Sequence, residues 1–407
     1  MSVATLTACT QRGGGTREEA LAVSRTSYAC GLIALSTDAP GEDAFVEHLA
    51  REAREGQANF ALIFYSRSLF ESEKLAGALN RHLTWLPHAG CTTAGEITPD
   101  GLHEGQAVAL LFPSLGFTTS GVLLENISSL DIKSVSGQVD ALRRSFTAKR
   151  QDQPGLFAIC LIDGLSYAEE SVTSAIHWEL EDIPLVGGSA GDELKFEKTS
   201  LIWNGGVYTD SAVVMLFSTD IPFHTFKTDN FVATDNKLVV TASDPARRTV
   251  SEFNAAKAAD EYAAVVGTMP EDLAPLSFAS HPTVVRVGGE YFCRSIQKSN
   301  PDGSLSFFCA IDDGIVLSIA RAVDLVESTD AALHEIDSRL GGTDIILGFD
   351  CVLRRLDAVN RQVVRGLSEV YRRNHVVGFG TYGEQYQSMH LNQTFTGIAF
   401  GLRHAAE

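Results

Sequence analysis

Apolar positions along the chain fall into three matched sets. Continuous apolar runs occur at residues 60–65 (FALIFY), 156–162 (LFAICLI) and 344–349 (DIILGF). Each is followed by polar sequence with helical spacing, clearest in Leu75, Leu79, Leu83 and in Val172, Ile176, Leu180. About thirty residues after each run comes a glycine-rich formula, a period expected of one supersecondary unit. The formula reads GCTTAGE at 90–96, GGSAGD at 187–192 and GFGTYGE at 378–384: glycine, a short gap, Thr or Ser, a spacer, glycine, then a carboxylate. A second apolar run closes each set, at 107–112, 212–217 and 395–400. The pattern predicts a strand, helix, strand, glycine turn and return strand, built three times. Such a unit exposes one apolar face, so the copies must pack on each other or share sheets.

Between these sets the pattern changes. Residues 30–36 predict a strand or a turn into a helix over 43–55, which carries Phe45, Leu49 and Ala53 on one face; a helix is also expected near 139–146. Asn204-Gly205-Gly206 signals a hairpin within 196–208. Beyond Thr228 a strand is expected at 237–241 and a helix at 250–266, ending at Gly267. Strands at 283–287, 291–297 and 306–310, with turns at Gly288-Gly289 and 300–303, form an antiparallel meander. Helices are predicted at 316–326 and 331–340. The fold class is therefore mixed α/β with α+β character: three related repeats with mixed sheets flanked by helices, plus the meander in the C-terminal half. The expected division is a flexible terminus at 1–28, a domain of two repeats at 29–228, and a domain of meander plus third repeat at 229–407.

At 407 residues the chain exceeds one ordinary core, and 44% hydrophobic residues is a globular share. No run approaches the roughly eighteen apolar residues of a membrane helix, and the first dozen residues lack the apolar core of a secretory signal; a cytoplasmic location is expected. The net charge of −19 argues against a nucleic-acid surface. The basic pairs Arg143-Arg144, Arg247-Arg248, Arg354-Arg355 and Arg372-Arg373 are isolated, as solvated faces or carboxylate partners are. Seven cysteines, at 9, 30, 91, 160, 293, 309 and 351, form no Cys-x-x-Cys pair, which speaks against structural zinc and for a reducing compartment.

Two motif matches fall inside the repeats. Residues 378–383 fit the dinucleotide fingerprint, but the sequence that follows leads into a strand where the fingerprint needs a helix. Residues 187–191 fit the nucleophile elbow around Ser189, yet the equivalent positions are Thr93 and Thr381, and an interchangeable hydroxyl suits a turn bond better than a nucleophile. Cys91, with His88 or His103 as base, offers a thiol nucleophile; its counterparts Gly187 and Phe379 lack one. Glycine corners can instead point amides at a ligand, with the following carboxylate receiving an amine.

The stretches 90–96, 184–192 (PLVGGSAGD), 291–296 (YFCRSI), 348–354 (GFDCVLR), 383–386 (GEQY) and 392–397 (NQTFTG), in this order, resemble a FIST protein over residues 30–402. The resemblance implies a FIST N-terminal domain holding the first two repeats and a FIST C-terminal domain holding the rest. It also implies an intracellular module without catalytic activity that binds a small ligand and reports to a signalling protein, such as a histidine kinase of a bacterial two-component system or a cyclic-dinucleotide enzyme. Members of the NosP type bind haem b and sense nitric oxide. The ligand residues expected are Cys91, Thr92, Thr93 and Glu96 of the first turn, with Arg294, Tyr382, Glu384 and Asn392 of the C-terminal half. A haem iron would take a neutral imidazole from His281 or His390. A homodimer through an exposed strand edge is an open expectation. A hydrolase using Ser189 or Cys91 is the alternative.

Overall fold

The computed structural model describes residues 23–148 and 155–403. The predicted fraying of 1–28 lies for residues 1–22 outside the described residues; Ser24–Ser27 corrects it, forming a strand antiparallel to Ile33–Thr37.

The three runs become the first parallel strands Ala58–Tyr65, Gly155–Ile162 and Thr343–Cys351. Each pairs in parallel with a second strand, His88–Thr92, Leu185–Ser189 or Val376–Thr381, after a helical crossover. On its other side each pairs antiparallel with its return strand, Ala107–Pro113, Ser211–Thr219 or Thr394–Gly401. A leading strand completes that edge: Ile33–Thr37, Phe117–Glu125 or Phe223–Asp229. The mixed α/β class is thus as expected, with the leading strand and its helix added to each unit.

The three sheets are interlocked. The hairpin after each corner leaves its own repeat: Glu96–Thr98 pairs with Val376–Thr381 of the third, Leu201–Trp203 with His88–Thr92 of the first, and Glu384–Tyr386 with Leu185–Ser189 of the second. Each repeat therefore completes one neighbour's sheet and is completed by the other neighbour.

Alternation assigns the two faces. Phe60, Leu62 and Phe64, with Phe157, Ile159 and Leu161 and with Ile345, Leu347 and Phe349, meet in one central core. Ala61, Ile63 and Tyr65 face the helices Glu42–Glu55 and Ser72–His82 instead, and Ala158, Cys160 and Ile162 face Ile132–Ala148 and Glu169–Leu180. Burial on both faces is why the strands read as unbroken apolar runs. Aromatic rings fill the centre, with Phe157 and Phe217 stacked at 5.0 Å between centroids.

The third repeat is interrupted. Between its leading strand and the helix Leu325–Leu340 the chain inserts residues 231–322, an eight-stranded antiparallel sheet with its own core around Leu238, Phe253, Tyr262 and Leu317. Two expected helices are corrected here. Val316–Ala322 is a strand, held between Phe231–Asp244 and Thr283–Val287, so pairing on both edges overrides local spacing. Thr249–Phe253 is also a strand; the chain turns at Asn254 and Ala255, both at positive φ, before the helix Ala258–Val266, which ends at left-handed Gly267 as expected. The middle strand of the meander breaks at Ser295 into Glu290–Arg294 and Ile296–Ser299.

Candidate functional site

The three glycine corners meet. The Gly191 amide donates to the Thr92 carbonyl (3.0 Å), Ala94 donates to Gly380 (2.8 Å), and Ser189 donates to Gly383 (2.8 Å), so every pair of repeats is bonded corner to corner. Five of the expected ligand residues, Cys91, Thr92, Thr93, Glu96 and Glu384, lie in this junction and are fully buried, with Tyr382 nearly so.

The carboxylates tie the corners shut. Glu96 accepts from the Thr93 hydroxyl and from the Gln106 amide (2.9 Å), and Glu384 accepts from the Thr381 and Thr394 hydroxyls, the latter at 2.7 Å. The first and third corners thus bond the beginning of the return strand, at Gln106 just before it and at Thr394, through the same device. Burial pushes Glu96 up to about 7 and Glu384 up to about 8, although these hydrogen bonds oppose it. Asp192 of the second corner accepts the amides of Phe196, Glu197 and Lys198 at 2.7–2.9 Å, together with the Tyr382 hydroxyl. Its burial acts upward, but these donors outweigh it and hold the carboxyl below its ordinary range.

Ser189 and Cys91 have surroundings unlike those of nucleophiles. Ser189 ends its strand and runs into a loop, with no helix following it, and its Oγ accepts from the Gln385 amide at 2.9 Å. Burial raises the Cys91 thiol well above its ordinary value. The dinucleotide match at 378–383 continues into the strand Glu384–Tyr386, as the sequence indicated.

The remaining expected residues lie outside the corner junction, with Arg294 close enough to act on His390 electrostatically. Arg294 ends a strand of the insertion and donates to the Cys293 carbonyl at 3.1 Å. Asn392 is buried with both amide atoms unpartnered. His281 caps the helix Pro275–Ser280, where its carbonyl accepts the Tyr262 hydroxyl at 2.8 Å. His390 is buried, its Nδ1 3.3 Å from the Gln385 amide nitrogen, and burial pulls it down to about 4, so the imidazole is neutral. Among the described residues no group of three His, Cys, Asp or Glu is placed to hold a metal ion.

Open space lies beside the junction. A cavity of about 570 Å³ sits at the carboxyl ends of the parallel strands of the second and third repeats, the crevice where open α/β sheets take ligands. Its core wall comprises Gly164, Leu165, Tyr167 and Glu169 after one strand and Val352 and Leu353 after the other, with Phe196 and Tyr382. Its opposite wall comes from the insertion, including Arg247, Arg248, Lys298, Asn300 and Phe308. On the far side of Val352 a second cavity, of about 390 Å³, is bordered by Ala94, Gly95, Glu193, Leu194 and Arg355. Of the residues expected from sequence, only Tyr382 lines either cavity, and neither histidine does.

Arg248 latches the two walls together. It donates to Glu169 and Glu170 at 2.9 Å each and to the Phe308 carbonyl at 2.9 Å, and its guanidinium lies 4.8 Å above the Tyr167 ring. Burial lifts Glu169 to about 7 even against the pull of Arg248. The Arg247-Arg248 pair is the visible signal, expected as a solvated face or a carboxylate partner; the partners of Arg248 are 78 and 79 residues away, a separation that pattern cannot span.

Interlocked α/β repeats with a cavity between them and an inserted β-domain define a protein built around a seam. The FIST N domain matches residues 59–256 and the FIST C domain matches 258–387, and the chain belongs to the FIST family. The boundary between the two matches falls inside the insertion. No curated relative matches the chain. FIST domains are signal-transduction sensor domains that bind small ligands.

Proposed function

We propose that this chain senses a small molecule that lodges in the seam cavity, and that its occupancy resets the packing of the insertion against the repeats. The observation that carries this reading is that both bodies wall one cavity and are fastened beside it by Arg248 on Glu169 and Glu170 and by the Ala310 amide on Glu170. A ligand that touches both walls has different affinities for different seam geometries, which is what coupling requires. The partner would be a signalling protein in the cytoplasm, such as a histidine kinase or a cyclic-dinucleotide enzyme, reading the seam from a monomer or a homodimer.

Haem b with nitric oxide is the special form of this reading. The seam cavity does not fit it: Arg247 and Lys298 could meet propionates, but neither His281 nor His390 borders the space, so iron would find no imidazole there. A haem form with the axial ligands expected from sequence would use one of these histidines elsewhere. A Soret band in haem-reconstituted protein that is lost with His281→Ala or His390→Ala supports it, and absence of a band removes it.

The general reading is tested by hydrogen exchange on the full chain against a library of small metabolites. Protection of residues 164–169, 247–249 and 304–308, abolished by the cavity-filling Ser306→Trp, is the expected result. Binding that leaves those segments unprotected, or no binding at all, defeats it.

A further inference from the structure

Building on the seam cavity as the ligand site, we propose that its ligand is a flat aromatic anion, a ring carrying a carboxylate or a phosphate. The charge argument comes first. On a chain of net charge −19, two cations of this wall, Arg247 and Lys298, make no ion pair among the described residues. Both are exposed at the cavity rim, on separate elements of the insertion. The acid on that wall, Asp302, accepts the Ser304 amide at 3.0 Å and the Ser304 hydroxyl at 2.6 Å, and feels Arg247 without forming an ion pair with it. Opposite, Arg248 already answers Glu169 and Glu170. Three cations, Arg247, Arg248 and Lys298, thus line the cavity against two acids, Glu169 and Asp302, and this excess of positive side chains, with Arg247 and Lys298 exposed at the rim, attracts ligands of the opposite sign.

The ring argument is independent. Phe196 stacks on Tyr382 with centroids 4.7 Å apart, which leaves its second face free, and it is 45% exposed. Tyr167 has Arg248 over one face and is itself 70% exposed. Large aromatic side chains so exposed, each backed on one face and bordering the same cavity, offer stacking surfaces. The Phe196 loop is also held in an uncommon backbone: Glu193, Leu194 and Phe196 all have positive φ, fixed by the three amides that bind Asp192. Non-glycine residues persist in that region where the surrounding structure determines them, and they cluster at ligand clamps.

Calorimetry on the full chain tests this with two anion and neutral pairs: adenosine 5′-monophosphate against adenosine, and benzoate against benzamide, with inorganic phosphate as the ringless control. At least one anion is expected to bind about ten-fold or more tighter than its neutral partner, the worth of one good charge contact. Which pair responds tells phosphate from carboxylate. Arg247→Glu and Lys298→Glu, both at exposed positions, should each weaken the anion by about ten-fold while leaving the neutral ring unchanged. Phe196→Ala should weaken the ring-bearing anion and not inorganic phosphate. Neutral partners binding as well as the anions, charge reversals without effect, or phosphate binding as tightly as the nucleotide would each overturn the inference. If both anions fail while a neutral metabolite still protects the seam, this inference falls and the sensor reading stands; if nothing protects the seam, both fall.

Discussion

The Tyr382 hydroxyl donates to the Asp192 carboxylate, across 190 residues of sequence, and joins the third corner to the second. Arg67, from the loop after the first parallel strand, stands 3.9 Å from the same carboxylate, so all three repeats converge on one acid. Tyr382→Phe keeps the ring stacked on Phe196 and removes only this donor. A hydrogen bond to a buried charged group contributes about 2 kcal/mol, so the urea midpoint should fall by that amount divided by an unchanged m-value. Asp192→Asn should cost more, because its amide group would face three backbone donors. A Tyr382→Phe variant as stable as the parent would show that the corners are held by their backbone bonds alone.

The glycine that opens each formula has a structural explanation. Gly90, Gly187 and Gly378 occupy the same register, beside Ile63, Cys160 and Gly348 of the neighbouring parallel strand and beside Ile202, Gln385 and Ile97 of the donated hairpin. At all three a Cβ would collide with the carbonyl oxygen of the parallel neighbour. Backbone oxygen cannot swing away as a side chain can, so Gly187→Ala should destabilise by about 1–3 kcal/mol or more, seen as a lowered melting temperature. The exposed Gly137→Ala, which meets nothing within 4 Å and lies within a helix, should stabilise or be neutral. Equal effects at the two positions would remove the argument from close approach.

These glycines also show how far the sequence could be read. Triplication was legible because strands buried on both faces and glycines pressed on carbonyls leave little choice of residue. The swap of hairpins was not legible: Ile97 pairs with Gly378 and Ile202 with Gly90, and nothing local to Glu96–Thr98 or Leu201–Trp203 says which sheet each will join. Val316–Ala322 was misread as helix because partners on both sides, distant in sequence, set its conformation. The glycine corners were legible and do meet, but the cavity beside them is lined by Tyr167, Phe196 and Lys298, which belong to no shared pattern.

Stability should fall as the solution becomes alkaline. Glu96 and Glu169 are lifted by burial from 4.5 to about 7, and Glu384 from 4.5 to about 8. A carboxyl whose folded value lies above its unfolded value binds its proton more tightly when folded. Its contribution is complete below about 4.5 and is lost as pH rises through the folded value. His390, pulled from 6.5 to about 4, works in the opposite sense, losing stability as pH drops through that interval. The two effects oppose each other below about 6.5, and above it these carboxyls act without that opposition. Each can contribute a slope of up to about 1.4 kcal/mol per pH unit. Denaturation midpoints at several pH values between 6.5 and 8.5 should decline for the parent and decline less for Glu384→Gln. Parallel lines for the two proteins would show that Glu384 is not protonated in the native state at the lower end of that range.

Arg354 heads the fully buried side chains by size among the described residues, and it fastens the root of the insertion to the third repeat. It donates to Asp350 at 2.7 Å, to the Thr329 hydroxyl at 2.8 Å and to the Asn230 side chain at 3.4 Å, joining the strand Thr343–Cys351, the helix Leu325–Leu340 and the residue just after the leading strand. Removing one partner of such a pair leaves the other charge buried and uncompensated, at a cost of about 3–5 kcal/mol. Arg354→Met should therefore lower the melting temperature sharply. Arg354→Lys should recover only part, since one ammonium cannot span three acceptors set in different directions. The double variant Asp350→Asn with Arg354→Met removes both charges and should be more stable than Arg354→Met alone. If it is less stable, the arginine acts through packing and not through its charge.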